Sequence, residues 1–204
     1  MNSNLLTLRG NCVRLEPLDR AHIAPLVDAS RDDSGLYAWS FVPQGEDAVR
    51  TYVERALALR DDGRALPFAI IRRSDGTVIG TTRFFDIERW AWPDGARDGA
   101  VFDTCEIGYT WLAPAAIRTA ANTEAKALML EHAFQAWKVR AVTFHTDARN
   151  ARSRAAIERI GAQFEGILRS HRLAIDLQPR DSARYSIIAK DWPNVRAHIA
   201  NLLA

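Results

Sequence analysis

The run Val142-Thr143-Phe144-His145-Thr146-Asp147, continued through Ala148-Arg149-Asn150-Ala151-Arg152-Ser153-Arg154-Ala155-Ala156-Ile157-Glu158-Arg159-Ile160-Gly161, decides the fold class. Val142, Phe144 and Thr146 alternate with Thr143, His145 and Asp147, the period of two that sends each set to one face of a strand. Past Arg149 the period changes. Ala156, Ile157 and Ile160 recur at helical spacing behind Asn150 and Ser153, residue types suited to the start of a helix. Gly161 supplies the left-handed residue that ends it. A strand feeding directly into a capped helix is half of a strand–helix–strand unit, so the chain reads as α/β.

Upstream, Cys105, Ile107, Tyr109 and Trp111 alternate with Glu106, Gly108 and Thr110 in a strand from Thr104 that Pro114 ends. Ala125, Leu128, Met129, His132, Ala133 and Ala136 then share one helical face, with Lys126, Glu131 and Gln135 outside it. Pro67 to Ile71 and Val78 to Phe85 flank Ser74-Asp75-Gly76-Thr77, a hairpin whose turn uses Gly76 at positive φ. Nearer the start, Cys12 to Leu15 reads as a short strand stopped by Pro17. Asp19 caps a helix through Ile23, Leu26 and Val27, and a second helix runs from Gly45 to Arg60. The loop between them, Gly35 to Pro43, carries Tyr37, Trp39 and Phe41. Arg89 to Asp103, with Trp90, Trp92, Pro93, Gly95 and Gly99, is a long excursion. Beyond Gly161 come two strands, Gln163 to Ile175 and Ser182 to Ala189, around a turn at Gln178 to Asp181. A terminal helix over Trp192 to Leu203 begins at Pro193. Strands joined by helices are expected parallel and hairpins antiparallel, giving a mixed sheet. No linker, repeat or low-complexity segment divides the chain, so residues 1–204 read as one domain.

Composition narrows the function classes. Hydrophobic residues are 48% and charged residues 25% of the 204, an ordinary globular balance. Twenty-seven Lys and Arg against 25 Asp and Glu leave a net charge of +2, too even for a general nucleic-acid binder. The Arg152, Arg154 and Arg159 cluster accordingly reads as a solvated helix face. No apolar run approaches the roughly 18 residues of a membrane span, and Met1 to Leu6 lacks the pattern of a secretion signal. Cys12 and Cys105 allow at most one disulfide, with no metal-ligand spacing. The expectation is a cytoplasmic protein without a metal.

The element order, together with Cys105-Glu106-Ile107-Gly108-Tyr109-Thr110-Trp111-Leu112, Arg118-Thr119-Ala120-Ala121-Asn122-Thr123-Glu124-Ala125-Lys126, Thr146 to Ala162 and Tyr185-Ser186-Ile187, resembles the GCN5-related N-acetyltransferases (GNAT). Within them it is most similar to the RimJ/RimL-like branch, which acetylates ribosomal-protein N-termini. The resemblance spans Leu8 to Leu202. It implies a mixed, mostly antiparallel sheet with flanking helices and splayed central parallel strands. It further implies acetyl-CoA as co-substrate and an amine acceptor, either a ribosomal or other protein N-terminus or a small-molecule amine. Neither nucleic acid nor membrane is an expected partner, and a homodimer is compatible with it. The family's loop reads Gln or Arg, two variable residues, Gly, one variable residue, then Gly or Ala. Ile117, Ala120 and Asn122 depart from it, which motivates an alternative: a non-catalytic acyl-CoA-binding sensor or scaffold.

Candidate site residues follow. A helix N-terminus is a ready anion site, and the strand–loop–helix from Trp111 to Glu131 supplies one. Trp111, Leu112, Arg118, Thr119, Ala120, Ala121, Asn122 and Thr123 are therefore expected to hold the cofactor. Asn122 tolerates a left-handed backbone, whereas Ala120 at positive φ would cost about 1 kcal/mol or more. The resemblance implies that the Asn150 amide bonds the pantetheine arm and that the Ser153 hydroxyl lies near the sulfur, where it can protonate a leaving thiolate. Glu106 is the candidate base, because an amine arrives as ammonium and must lose a proton before attack. The plainer reading of Glu106 is a carboxylate paired to an arginine. Ser153, His145 and Asp147 do not make a hydrolase, since two same-face residues of one strand give no ordered relay and no GxSxG is present. His145 reads as a satisfied sheet residue, His132 as core or interface, and Cys12 and Cys105 as inert buried thiols. Tyr37, Trp39 and Phe41, and separately Trp90 and Trp92, read as core plugs, acceptor-groove walls or oligomer contacts.

Overall fold

The computed structural model describes residues 6–31 and 35–204; Met1–Leu5, on which the leader-free reading largely rests, lie outside them. Among the described residues eight strands, mixed and mostly antiparallel, are flanked by helices, the α/β class expected. The chain gathers into two compact units, Met1–Phe85 with Gly108–Leu128, and Asp86–Ile107 with Met129–Ala204.

The first unit holds β1 (Leu8–Arg9), β2 (Val13–Pro17), α1 (Ile23–Ser30), α2 (Glu46–Asp61), β3 (Ala65–Arg72) and most of β4 (Val78–Glu88). It also holds the end of β5 (Thr104–Leu112) and most of α3 (Ala121–Glu131). Its strands run in the order β1-β2-β3-β4-β5. β1 is too short to show a period. The Asp19 cap is present: its carboxylate accepts the Ala21 N–H at 2.7 Å, while His22 Nδ1 accepts the Asp19 N–H at 3.1 Å. Val49, Val53, Ala56 and Leu57 of α2 and Leu26 of α1 are buried with Ala69 and Ile71 of β3, the helical stripe read from spacing. One expectation is corrected. β2 and β3 are joined by helices yet pair antiparallel, Val13 opposite Arg72 and Pro17 opposite Phe68. Two helices in succession reverse the chain twice, so the second strand enters from the opposite end. The β3–β4 hairpin forms as expected, with Gly76 at φ 73°.

Glu124 fastens α3 to the start of the unit. Its carboxylate accepts N–H groups from Asn11 at 2.6 Å, Cys12 at 2.8 Å and Val13 at 2.6 Å, and the Cys12 thiol at 3.0 Å. Burial alone would raise its pKa, but the Cys12 thiol and the three N–H groups hold it below the usual carboxylate value. A Cβ at Gly10 would strike that carboxylate. Glu124→Ala is expected to lower unfolding free energy at pH 7 by about 3 kcal/mol in urea titrations. A depressed folded pKa stabilises above the unfolded value and loses that effect as pH falls through the folded one, so the difference should shrink on acidification. A variant as stable as the wild type at pH 7 would contradict this role.

The second unit holds the start of β5, a π-helical turn at His132–Ala136, β6 (Ala141–Asp147), α4 (Ala151–Arg159), β7 (Gln163–Leu173), β8 (Pro179–Ile188) and α5 (Trp192–Leu203). Strand order is β5-β6-β8-β7. The parallel β5–β6 pairing covers Thr104–Glu106 opposite Ala141–Thr143, whereas β6 pairs β8 antiparallel along its whole length. The final bend falls earlier than expected, with the Ala174 N–H bonded to the Gln178 carbonyl at 2.8 Å and Leu177 at φ 61°. A leucine at a left-handed position hides a turn that a glycine would have marked. Arg89 to Asp103 is organised by Asp103, whose buried carboxylate accepts the Trp90 N–H at 2.9 Å, Trp92 Nε1 at 2.9 Å, Arg97 Nη2 at 3.1 Å and Arg140 Nε at 3.2 Å. Trp90 stacks on Trp92, and the Arg140 guanidinium lies 4.4 Å from the Trp92 ring centre.

Candidate functional site

The predicted site residues fall in both units, and each group stands by itself. In the first unit the alternation of β5 breaks at Tyr109, whose φ of 51° is left-handed. Tyr109 is consequently 48% exposed instead of sharing the buried face of Cys105 and Ile107. Phe85 meets its ring edge-on at 5.0 Å and the buried Arg83 guanidinium stacks on it at 4.1 Å. Trp111 and Leu112 are buried, and the Leu112 carbonyl accepts the Tyr37 hydroxyl at 2.7 Å, so Tyr37 is a core plug. Trp39 and Phe41 are exposed.

Pro114–Ala116 then makes a single 3-10 turn, and Arg118 takes the left-handed position at φ 63°. Neither Ala120 nor Asn122 has to adopt it, so the strain that Ala120 would suffer does not arise. Thr119 Oγ donates to the Ala116 carbonyl at 2.7 Å and accepts the Ala121 N–H at 3.2 Å, capping α3. Ala120 is exposed, Asn122 half-buried, and Ala121 and Thr123 buried. A cavity of about 570 Å³ borders this loop, lined by Thr119, Ala120, Cys12, Arg72 and Arg73 among others.

Lys126 corrects the helical reading. It is buried, at 6% exposure, and its Nζ donates to Thr110 Oγ1 at 2.5 Å and Thr82 Oγ1 at 3.3 Å. Burial pushes the amine down to about 7.

In the second unit Glu106 is 2% exposed. Arg172 donates from Nη2 to Oε2 at 2.8 Å and from Nη1 to Oε1 at 3.4 Å, and His145 Nδ1 lies 2.9 Å from Oε2. Asp86 Oδ2 also lies 3.3 Å from Arg172 Nη2. The His171 ring centre stands 4.8 Å from that of His145. Burial, then the negative charge of Glu106, raises the Asp86 pKa; burial, then Arg172 and His145, lowers that of His171. The plain reading of Glu106, an arginine pair, is therefore present together with an imidazole.

His145 is not a satisfied sheet residue. Its side chain is 7% exposed, Nδ1 faces Glu106 off the line of a good hydrogen bond, and Nε2 is buried with no hydrogen-bond partner among the described residues. Asp147 is held by Arg149 through Nε at 2.9 Å and Nη2 at 2.8 Å, consistent with the rejection of a triad. Arg172, His171 and Asp86 escaped the sequence reading. The shift of β7 register between Leu168 and Arg172 sets where Arg172 falls, and spacing within one strand does not disclose it.

Asn150 Oδ1 accepts the Ser153 N–H at 3.0 Å, so Asn150 caps α4 and Ser153 sits half-buried in its first turn. Arg154 is not merely solvated: its Nε donates to the Tyr185 hydroxyl at 2.9 Å, which donates to Glu158 at 2.7 Å. Both cysteines are free; burial raises the pKa of Cys105 well above the ordinary thiol value and, with Glu124, that of Cys12 to about 11. Among the described residues no helix is long and apolar enough to cross a membrane.

A family model of the acetyltransferase (GNAT) domain matches residues 13–163. A GCN5-related N-acetyltransferase from Brucella melitensis superposes with a TM-score of 0.83 at 28% identity, covering 98% of this chain and 86% of that one. A structure from T. thermophilus assigned to the acetyltransferases gives 0.78 at 31% identity over 97% of both chains. RimJ from Mycobacterium smegmatis, solved with CoA-disulfide, shares the fold at 23% identity and a TM-score of 0.74, covering 97% of this chain and 93% of its own. No curated protein matches.

Proposed function

Because this chain belongs to the GNAT acetyltransferases, a family that uses acyl-CoA, we propose that it moves the acetyl group of acetyl-CoA onto a primary amine by direct transfer in a ternary complex. The acceptor is a protein N-terminal α-amine, such as that of a ribosomal protein, or a small-molecule amine. Residues 1–204 act as one acetyltransferase domain.

In the first unit, Trp111, Leu112 and the loop and helix start at Arg118, Thr119, Ala120, Ala121, Asn122 and Thr123 hold the cofactor. Backbone amides there take the pyrophosphate and polarise the thioester carbonyl, a kind of stabilisation worth several kcal/mol in other enzymes. In the second unit, Asn150 bonds the pantetheine arm, Glu106 directs removal of the ammonium proton, and Ser153 delivers a proton to the departing sulfur. The nitrogen attacks the carbonyl carbon, the carbon–sulfur bond breaks, and one ammonium proton is released. The second ends on the sulfur by way of the Ser153 hydroxyl, leaving CoA thiol and an amide.

The observation that carries this reading is the family match over residues 13–163, the range in which Glu106, Asn150 and Ser153 lie. The test is release of CoA thiol from acetyl-CoA by purified protein, with arms for N-terminal peptides, polyamines and amino acids. At least one arm should give turnover, and its chemistry assigns the acceptor class. Silence in every arm would overturn the proposal.

A further inference from the structure

We propose that the atom accepting the amine's proton is Nε2 of His145, and that Glu106 is the positioning residue that fixes this imidazole. The inference rests on the acetyltransferase reading and names the proton acceptor within it.

Glu106 is poorly arranged to hold a proton itself. Both oxygens already meet the Arg172 guanidinium, and Oε2 also lies against His145 Nδ1. Protonating the carboxylate would weaken its 2.8 Å pair with a partly buried guanidinium. An imidazole ordinarily holds a proton more tightly than a carboxylate.

The geometry also selects the tautomer. A bare Nδ1 lone pair at 2.9 Å from a carboxylate oxygen would be repulsive, so Nδ1 carries hydrogen. Nε2 is then the lone-pair atom; both ring nitrogens are buried without a well-formed hydrogen bond among the described residues, and of the two it is Nδ1 that lies against the Glu106 carboxylate. An acceptor buried in this way is destabilising for a merely structural side chain. It is what a base kept ready for a proton requires, with a carboxylate holding the far nitrogen.

The charged and titratable groups facing the ring are Glu106 on β5, His171 and Arg172 on β7, Asp86 on β4, and Arg184 opposite His145 on β8. The ammonium proton passes to Nε2, directly or through one water, as the nitrogen lone pair is freed for attack. The imidazolium so formed is balanced by Glu106 and later gives its proton to solvent.

The test is His145→Gln, which keeps a side-chain amide within reach of Glu106. With the best acceptor amine, kcat at pH 7 should fall about 10²-fold while acetyl-CoA affinity by calorimetry stays within about twofold, since the ring makes no cofactor contact in this scheme. The loss should narrow with rising pH as solution supplies free amine, so the variant's rate climbs with pH where the wild type has levelled. A wild-type-like kcat and pH profile would overturn the inference alone. A wild type inert to every amine overturns the acetyltransferase reading with it. Nitrogen-15 spectra of the wild-type imidazoles at pH 8 need no variant: hydrogen on Nδ1 of His145 is expected, and hydrogen on Nε2 would refute the assignment even if His145→Gln does not fold.

Discussion

Glu106→Gln is expected to lower kcat for amine acetylation by about 10²–10³-fold while acetyl-CoA binds as in the wild type. The substitution keeps the shape of the side chain and one acceptor oxygen, so Arg172 retains a hydrogen bond there and its contact with Asp86. What disappears is the negative charge that fixes the imidazole of His145 and balances it when protonated. The same change should displace the acidic limb of the pH–rate profile, because the imidazole that accepts the ammonium proton loses its paired carboxylate. Steady-state rates from pH 6 to 9, beside calorimetric titration with acetyl-CoA, separate catalysis from binding. Unchanged rates would move proton removal to another residue; lost acetyl-CoA binding would make Glu106 a cofactor-site or folding residue.

Lys126→Met is expected to make the protein more stable at pH 7, by about 2–3 kcal/mol. The wild-type amine titrates near 7 in the fold against an ordinary 10.5, because it is buried. Between those values the unfolded chain binds more protons than the native one, so native stability rises with pH across that window. From pH 7 to pH 9 this side chain alone should add about 2 kcal/mol to wild-type stability. Methionine has no such dependence, and the advantage of the variant should nearly vanish by pH 9. The hydroxyls of Thr82 and Thr110 lie 2.8 Å apart and keep each other as partners once the amine is gone. Chemical denaturation at the two pH values decides the matter. A variant less stable than the wild type at pH 7 would mean that the ammonium is better solvated than its burial indicates.

Periodicity located β5, β6, α4 and α5 almost to the residue because each is long enough to display its period and ends on a recognisable stop: Pro114, Gly161 or a proline start at Pro193. Asn150 and Ser153 were legible for the same reason, since a cap is a local bond between neighbours in sequence. Strand direction was legible across the hairpins and where one helix intervenes; the two-helix connection between β2 and β3 reversed it. Tyr109 defeated the alternation of β5, as a left-handed tyrosine carries no compositional mark. The candidate catalytic cluster shows the deeper limit. Glu106 was singled out from its own strand, but its partners arrive from β4, β6 and β7, more than 60 positions away in the case of Arg172. Lys126 was misplaced because polarity stands for exposure in a helical wheel, and two threonine hydroxyls suffice to admit an amine to the interior.

The backbone passes from one compact unit to the other after Phe85, after Ile107 and after Leu128. Neither unit is a continuous stretch, so no single cut releases either of them whole. A nascent chain leaving the ribosome has every strand of the first unit only once Leu112 has emerged, by which point part of the second has already been made. Ordering by synthesis, amino-terminal half first, is thus closed to this protein, and the two halves must mature in step. Truncations placed at Phe85 or Leu128 should yield aggregating fragments, not working modules.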